Sequence, residues 1–511
     1  MAAASAPGNA GGRRDDVDPG PGANDRDMMQ MSTGIGNAGS GTESAAVREP
    51  ARTTARHSAA GVRAVRPARL PGTLTILRTM IRNPIEGWPP EVYEAPLLRS
   101  SQVGRPCLFV MAPELVHEAL VEKADIFVKD NVMRRTLGPA LGEGILTANG
   151  AHWRWQRRLA APVFRHDRVM GMVPAMIRAA EATAERWASQ QGQRVDVAHE
   201  MMRTTFDVIA DTMLSGAPDM DVERVAEAIT DSLDSIGWPL ALSLLGAPKW
   251  MPYPGSRKAA AGRAYLRGCM QAAIDARRAA GATDGADLTS LMLDASDPET
   301  GQTMSDEQII DNLLTFIAAG HETTALALTW SFWLLSQYPK AAARLRAEVE
   351  AVAPHGVTPE NIDQLVFTRQ VLQEAMRLFP PAAVIVRSAT EDTTLGAEPV
   401  RKGEALIFPI HAIHRHRTLW EQPDAFNPDH FTPEAVKARP RHAFMPFGGG
   451  PRICIGMMFA ILEGVAILAT LARRFAPEPE IPMTPEPQLR ITLRPRGGMP
   501  MRLKPAGEAG A

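Results

Sequence analysis

Cys454 lies in the decapeptide Phe447-Gly448-Gly449-Gly450-Pro451-Arg452-Ile453-Cys454-Ile455-Gly456, and the apolar helical run from Met457 to Arg473 follows at once. A thiol just before a helix N-terminus meets orphan N–H groups and the positive end of the helix dipole, and both favour a thiolate. N–H groups donated to the sulfur would tune its electron density toward a metal. Three consecutive glycines let the backbone approach a flat cofactor closely. No second cysteine or histidine stands at zinc-ligand spacing, so a structural zinc site is excluded.

A second group with chemistry is Ala319-Gly320-His321-Glu322-Thr323-Thr324. An acid followed by an alcohol offers a proton source beside a hydroxyl that can order water. Gly320 costs about 1 kcal/mol in a helix interior, so the backbone there is expected to leave room for a neighbour. Position 325 is Ala, which removes the second histidine that a zinc protease would need. Trp153 and Arg157 fall at i and i+4 on one helix face, where they can hold a carboxylate. Glu374 and Arg377 put opposite charges at i and i+3 on an apolar helix.

Long helices must carry these groups. Apolar periodicity runs from His166 to Gln191 and stops at Gly192; Asp196 then caps a helix that reaches Gly216. Ser305 and Gln308 form a capping box, and the helix they open meets no breaker until Pro339, a span of about 45 Å. Another helix runs from about Leu365 to Phe379 and is stopped by Pro380–Pro381. Strand signals are few: Ala383–Ser388, Ala405–Ile410, and a hairpin of Ile491–Leu493 with Met501–Leu503 turning at Gly497–Gly498. The class is mainly α with small β-sheets.

The loop F-x-x-G-x-R-x-C-x-G, joined to the acid–alcohol helix, resembles the cytochrome P450 family of haem-thiolate monooxygenases, over roughly residues 70–505. The resemblance implies that family's fold, with the long central helix crossing over the haem. It implies that Cys454 is the iron ligand, whose thiolate pushes electron density toward the metal and favours O–O cleavage. Phe447 then shields the sulfur and Gly456 completes the loop. Trp153, Arg157 and Arg452 hold haem propionates, with Arg387 as a third contact. Thr323 becomes the oxygen-activating threonine and Glu322 its acid; Glu374 and Arg377 become the structural E-x-x-R pair. Where the family places an arginine in P-x-R-F, this chain has Pro428-Asp429-His430-Phe431, so His430 is expected to substitute through a neutral hydrogen bond.

The implied activity is insertion of one oxygen atom from O2 into a hydrophobic substrate, using haem b. Alternatives are a peroxide-driven peroxygenase, an isomerase of the same family, or a non-catalytic haem sensor. No flavin, nicotinamide or iron–sulfur module is visible, so electrons from NAD(P)H are expected through a separate ferredoxin or flavodoxin and its reductase. Arg157, Arg158, Arg165 and Arg441 are candidates for its docking face. The pocket is expected near Val132–Met133, Trp238–Leu240, Ala318–Ala319 and Ala382–Ile385.

A formal charge of −2 over 511 residues gives no bias toward nucleic acid. Among the 55 basic residues, eight are lysines and 47 are arginines, a composition that suggests a GC-rich bacterial source. Three cysteines offer no disulfide framework and fit a reducing compartment. No secretory signal and no membrane span is read, so a cytoplasmic location is expected. The expected organisation is a low-complexity disordered extension over 1–65, one haem domain over 66–505, and a disordered tail over 506–511.

Overall fold

The computed structural model describes residues 63–66, 79, 82–102, 104–213, 224–225, 227–228, 237–244, 247–248, 251–280, 287–297, 299–479 and 484–506. Almost all of the 1–65 extension and the tail beyond 506 lie outside these residues. Everything described belongs to one unit, Arg56–Ala511.

The helices that position the site are α1 (Asn131–Leu141), α2 (Gly150–Ala160), α3 (His166–Ser189), α4 (Val197–Met213), α5 (Asp306–Gln337), α6 (Val366–Leu378) and α7 (Met457–Arg474). Helix α5 is 32 residues long and opens with the expected capping box. Between Ile309 and Leu335 it is mostly buried, as a helix threaded through a core must be, but Ala318, Ala319, Gly320 and Thr323 are not. Asp196 Oδ1 accepts from Ala198 N at 3.0 Å and so starts α4 as expected. Helices α3, α4, α5, α6 and α7 share the largest apolar core, with Trp187, Trp330 and Phe332 buried at its centre.

Strands are short. A five-stranded sheet has the order β1 (Leu97–Gln102), β2 (Arg105–Val110), β5 (Ala405–Phe408), β4 (Ile385–Ala389), β3 (Phe127–Lys129). Only β2 and β5 run parallel; the other pairs are antiparallel. Val65 bridges to Leu98 at the β1 edge.

The C-terminal hairpin differs from expectation. Strand β7 (Leu493–Pro495) pairs with β6 (Pro487–Leu489), whereas Pro500–Arg502 pairs with Arg194–Asp196 and Glu478–Pro479. Gly497 and Gly498 do turn the chain, at φ 81 and 84, but the turn passes it from one sheet to another. A Cβ at Gly498 would lie 2.2 Å from Asp196 Oδ2, so only glycine fits against that helix cap.

Candidate active site

Cys454 sits three residues before α7, and Gly456 is the N-cap of that helix. The loop is closed by Cys454 N donating to Phe447 O at 2.9 Å. Phe447 packs half-buried against the main core. The positive-φ glycines of the loop are Gly448 (80) and Gly450 (68). Gly450 is irreplaceable for a reason other than the expected approach to a flat cofactor: a Cβ there would lie 1.9 Å from Leu120 O, in the backbone of a neighbouring turn.

Cys454 is an exposed residue. Burial pushes its thiol above the ordinary range, while the Gly456 N–H and Arg157 pull the other way. The Gly456 N–H at the start of α7 and the Arg157 charge act in the direction expected for a thiolate. A metal ion would complete the change, since a coordinating thiol is deprotonated outright.

Beside the loop lies a group of cations. Arg157 Nη1 donates to Ile453 O at 2.7 Å, next to the cysteine. Arg452 bonds Ala148 O at 3.0 Å and Asn149 Oδ1 at 2.8 Å, and stacks 4.1 Å over the Trp153 ring. Arg387, on β4, donates to Val386 O at 3.0 Å. Lys129, at the end of β3, pairs in register with Arg387 and donates to Leu146 O at 2.5 Å. Burial, with Arg452, Arg387 and Arg157 adding to it, pushes Lys129 well below the usual lysine range. Arg452 falls to about 9 through burial and the charges of Arg387, Arg154 and Arg157. Arg387 falls to about 10 through burial alone. The charges acting on Lys129 and Arg452 are all of one sign. Such a cluster is chemically matched to a dianionic ligand.

The sequence reading names Trp153, Arg157, Arg387 and Arg452 and misses Lys129. A lysine is rare in this chain, and one closing a strand beside arginine-rich segments was the available signal. Of the proposed docking arginines, Arg158 pairs with Asp297 and Glu299, and Arg165 with Asp167. Arg157 bonds inward to the cysteine loop.

On α5, Thr323 Oγ1 donates to Ala319 O at 2.7 Å, the back-bond expected of a helix threonine. Glu322 is buried, and Thr492 Oγ1 and Arg494 Nε both donate to its Oε1. Gly320 leaves room for Ile209 of α4, whose Cδ1 would lie 3.3 Å from an added Cβ. His321 is driven down to about 4 by burial and stands edge-on to Phe206. Glu463 of α7, near Thr324, is fully buried with neither oxygen in a well-aligned hydrogen bond; burial pushes its carboxyl up to about 8.

Apolar residues gather above this face of α5: Leu137 and Leu141 of α1 pack with Ala140, Leu146, Ala318 and Ile491. Ala318 is among the expected pocket residues. Ile491, at the β6–β7 tip, is not, because the hairpin was paired with the wrong strand. Trp238 is 47% exposed, and the side chains of Met133 and Leu240 lie outside the described residues.

Glu374 and Arg377 are fully buried and joined by two bonds of 2.7 Å. His430 Nδ1 stands 3.2 Å from Glu374 Oε1, the substitution anticipated from the sequence. Arg439 adds what was not anticipated. It bonds His430 O at 2.9 Å, stacks 4.5 Å over Trp420, and feels the charge of Glu374.

A long buried helix bearing an acid and an alcohol, with an open thiol loop ringed by cations, defines a haem-thiolate type of site. The cytochrome P450 family model matches residues 91–500. Cyclooctatin synthase of Streptomyces melanosporofaciens is 36% identical over 76% of this chain and 85% of its own length. A cytokinin hydroxylase of Arabidopsis thaliana is 32% identical over 78% and 79%. Cyclooctat-9-en-7-ol 5-monooxygenase of S. melanosporofaciens is 30% identical over 77% and 84%. The crystal structure of the cytochrome P450DA heme domain superposes with a TM-score of 0.72 at 27% identity, covering 85% of this chain and 94% of that one. The chain belongs to the cytochrome P450 family and is a P450 monooxygenase, an oxidoreductase. Among the described residues, no helix is long and apolar enough to cross a membrane.

Proposed function

We propose that the chain holds haem b on the open side of the Cys454 loop and inserts one atom of O2 into a hydrophobic organic substrate, with electrons from a separate donor. The observation that carries this reading is an exposed cysteine on a loop whose neighbourhood holds Lys129, Arg387 and Arg452, cations that act on one another and that two propionates would neutralise. Bound haem supplies the oxygen-activating chemistry through its iron. Cys454 provides the thiolate ligand, Phe447 covers the loop, and Gly456 donates its N–H to the sulfur. The cations fix the orientation of the macrocycle. Thr323 orders water on the oxygen side, and Glu322 passes protons toward it.

The walls formed by Leu137, Leu141, Leu146, Ala318 and Ile491 are hydrocarbon. A mostly hydrocarbon ring substrate with few polar groups suits them, and the relative named for cyclooctat-9-en-7-ol acts on such a molecule. Glu299 and Asp297 neutralise Arg158, and Asp167 pairs with Arg165, so these two arginines carry less of a docking face for a ferredoxin or flavodoxin than their charge alone suggests.

Replacement of Cys454 by Ser tests the site. The carbon-monoxide complex of the reduced protein should lose the red-shifted Soret band of thiolate ligation; an unchanged band refutes the assignment. Thr323→Ala should retain haem and divert electrons into peroxide, and full coupling of electrons to product would contradict its role.

A further inference from the structure

The hairpin β6–β7 reaches α5 at Glu322 and borders an apolar patch that α5 also joins. Its tip residue Ile491 packs against Leu137 and Leu141 of α1, and so does Ala318 of α5. The next residue, Thr492, donates to Glu322 Oε1 at 2.5 Å, and Arg494 Nε donates to the same oxygen. Ala318 and Glu322 are four residues apart, so the patch and the acid lie one turn apart on the same side of the helix. The Glu322 side chain is 2% exposed and that of Arg494 23%, so the pair is closed to water at the acid and reaches it at the guanidinium.

Between Thr492 and Arg494 the chain is pinned. Leu493 N donates to Pro381 O at 2.9 Å, and Leu493 O accepts from Trp330 Nε1 at 3.2 Å. Leu493 therefore anchors the hairpin, with the apolar tip on one side and Arg494 on the other.

We propose that Thr492 and Arg494 are positioning residues that park Glu322 against the hairpin, and that a ligand wedged between Ala318 and Ile491 lifts the tip and frees the carboxylate. This rests on the reading of Glu322 as the proton-delivering acid and adds what controls it. A partly buried ion pair costs free energy to open, and the ligand must supply it. The affinity of any ligand large enough to reach Ile491 is then lowered by the fraction of molecules in the parked state. A ligand too small to touch the tip bears no such cost. By reciprocity, weakening the pair must tighten the binding of large ligands only.

The test uses the holoenzyme at equilibrium, with clotrimazole as a bulky iron-ligating probe and imidazole as a small one, each titrated by its haem difference spectrum. Arg494→Gln should tighten clotrimazole by roughly fivefold or more and leave imidazole unchanged. Thr492→Val should shift clotrimazole in the same direction by a smaller factor, and Arg494→Lys should return both probes close to the parent values. Equal clotrimazole affinity in the parent and Arg494→Gln, or parallel changes for both azoles, overturns the proposal. If Arg494→Gln does not accumulate as holoprotein, Thr492→Val carries the same comparison and its absence of effect overturns it. The titration involves no oxygen chemistry, so it can fail while Glu322 keeps its role in turnover. That role is tested separately by the solvent isotope effect on product formation in Glu322→Gln.

Discussion

Glu374 and Arg377 are wholly enclosed and answer each other through two 2.7 Å bonds, while backbone carbonyls of His414, Pro423 and Ala425 take the remaining guanidinium hydrogens. Lys129, Arg387 and Arg452 are also largely buried, and the charges that reach Lys129 and Arg452 come from other cations. The first group is complete within the chain. In the second, no anion is among the charges that shift Lys129 and Arg452. Buried charge that the fold itself satisfies holds structure together; buried charge of a single sign marks a place for a ligand.

The sharpest break of this comparison is on the closed side. Glu374→Ala strands Arg377 in the core and should cost about 3–5 kcal/mol, enough to prevent accumulation of holoprotein or to lower its urea midpoint severely. A normal midpoint would show that the network is not closed by Glu374. Glu463 represents a third way of burying charge, by protonation. Burial lifts its carboxyl from the ordinary 4.5 to about 8. Between those values the folded chain keeps a proton that the unfolded chain releases, so stability falls as pH rises from 4.5 to about 8, by up to ~1.4 kcal/mol per pH unit. Glu463→Gln should flatten that decline. An unchanged slope in urea unfolding across pH 5–8 would assign the dependence elsewhere (these pH values being about the limits set by the raised carboxyl).

The closed network was largely legible in the sequence, because Glu374 and Arg377 are near neighbours on one helix and His430 occupies the matching place in its segment. The long helix was legible for the same reason: capping by Ser305 and the apolar period are local signals. What escaped depends on contacts across the chain. Arg439 reaches Glu374 only through the packing around Trp420, and Lys129 meets Arg387 only by strand pairing. Register was the weakest point. The turn at Gly497–Gly498 was read correctly as a turn, but nothing local says that the strands it joins belong to different sheets. That error hid Ile491 from the pocket and Arg494 from Glu322.

The open cluster makes the subtler prediction, because one substitution should have opposite signs in two states. Lys129 is held far below the ordinary lysine value of 10.5, so in the haem-free chain it is a poorly tolerated cation. From that lowered value up to 10.5 the unfolded chain binds a proton that the folded chain does not, so the stability of the haem-free chain rises with pH across this window. Lys129→Met removes the penalty and should stabilise the haem-free chain by about 1 kcal/mol near neutral pH while flattening the alkaline rise. In the holoprotein the same change deletes a partner of the propionates, and transfer of haem to apomyoglobin should become roughly tenfold more favourable. If Lys129→Met instead weakens both states alike, Lys129 serves the fold as Glu374 does, and the division between the closed and the open cluster fails at that residue.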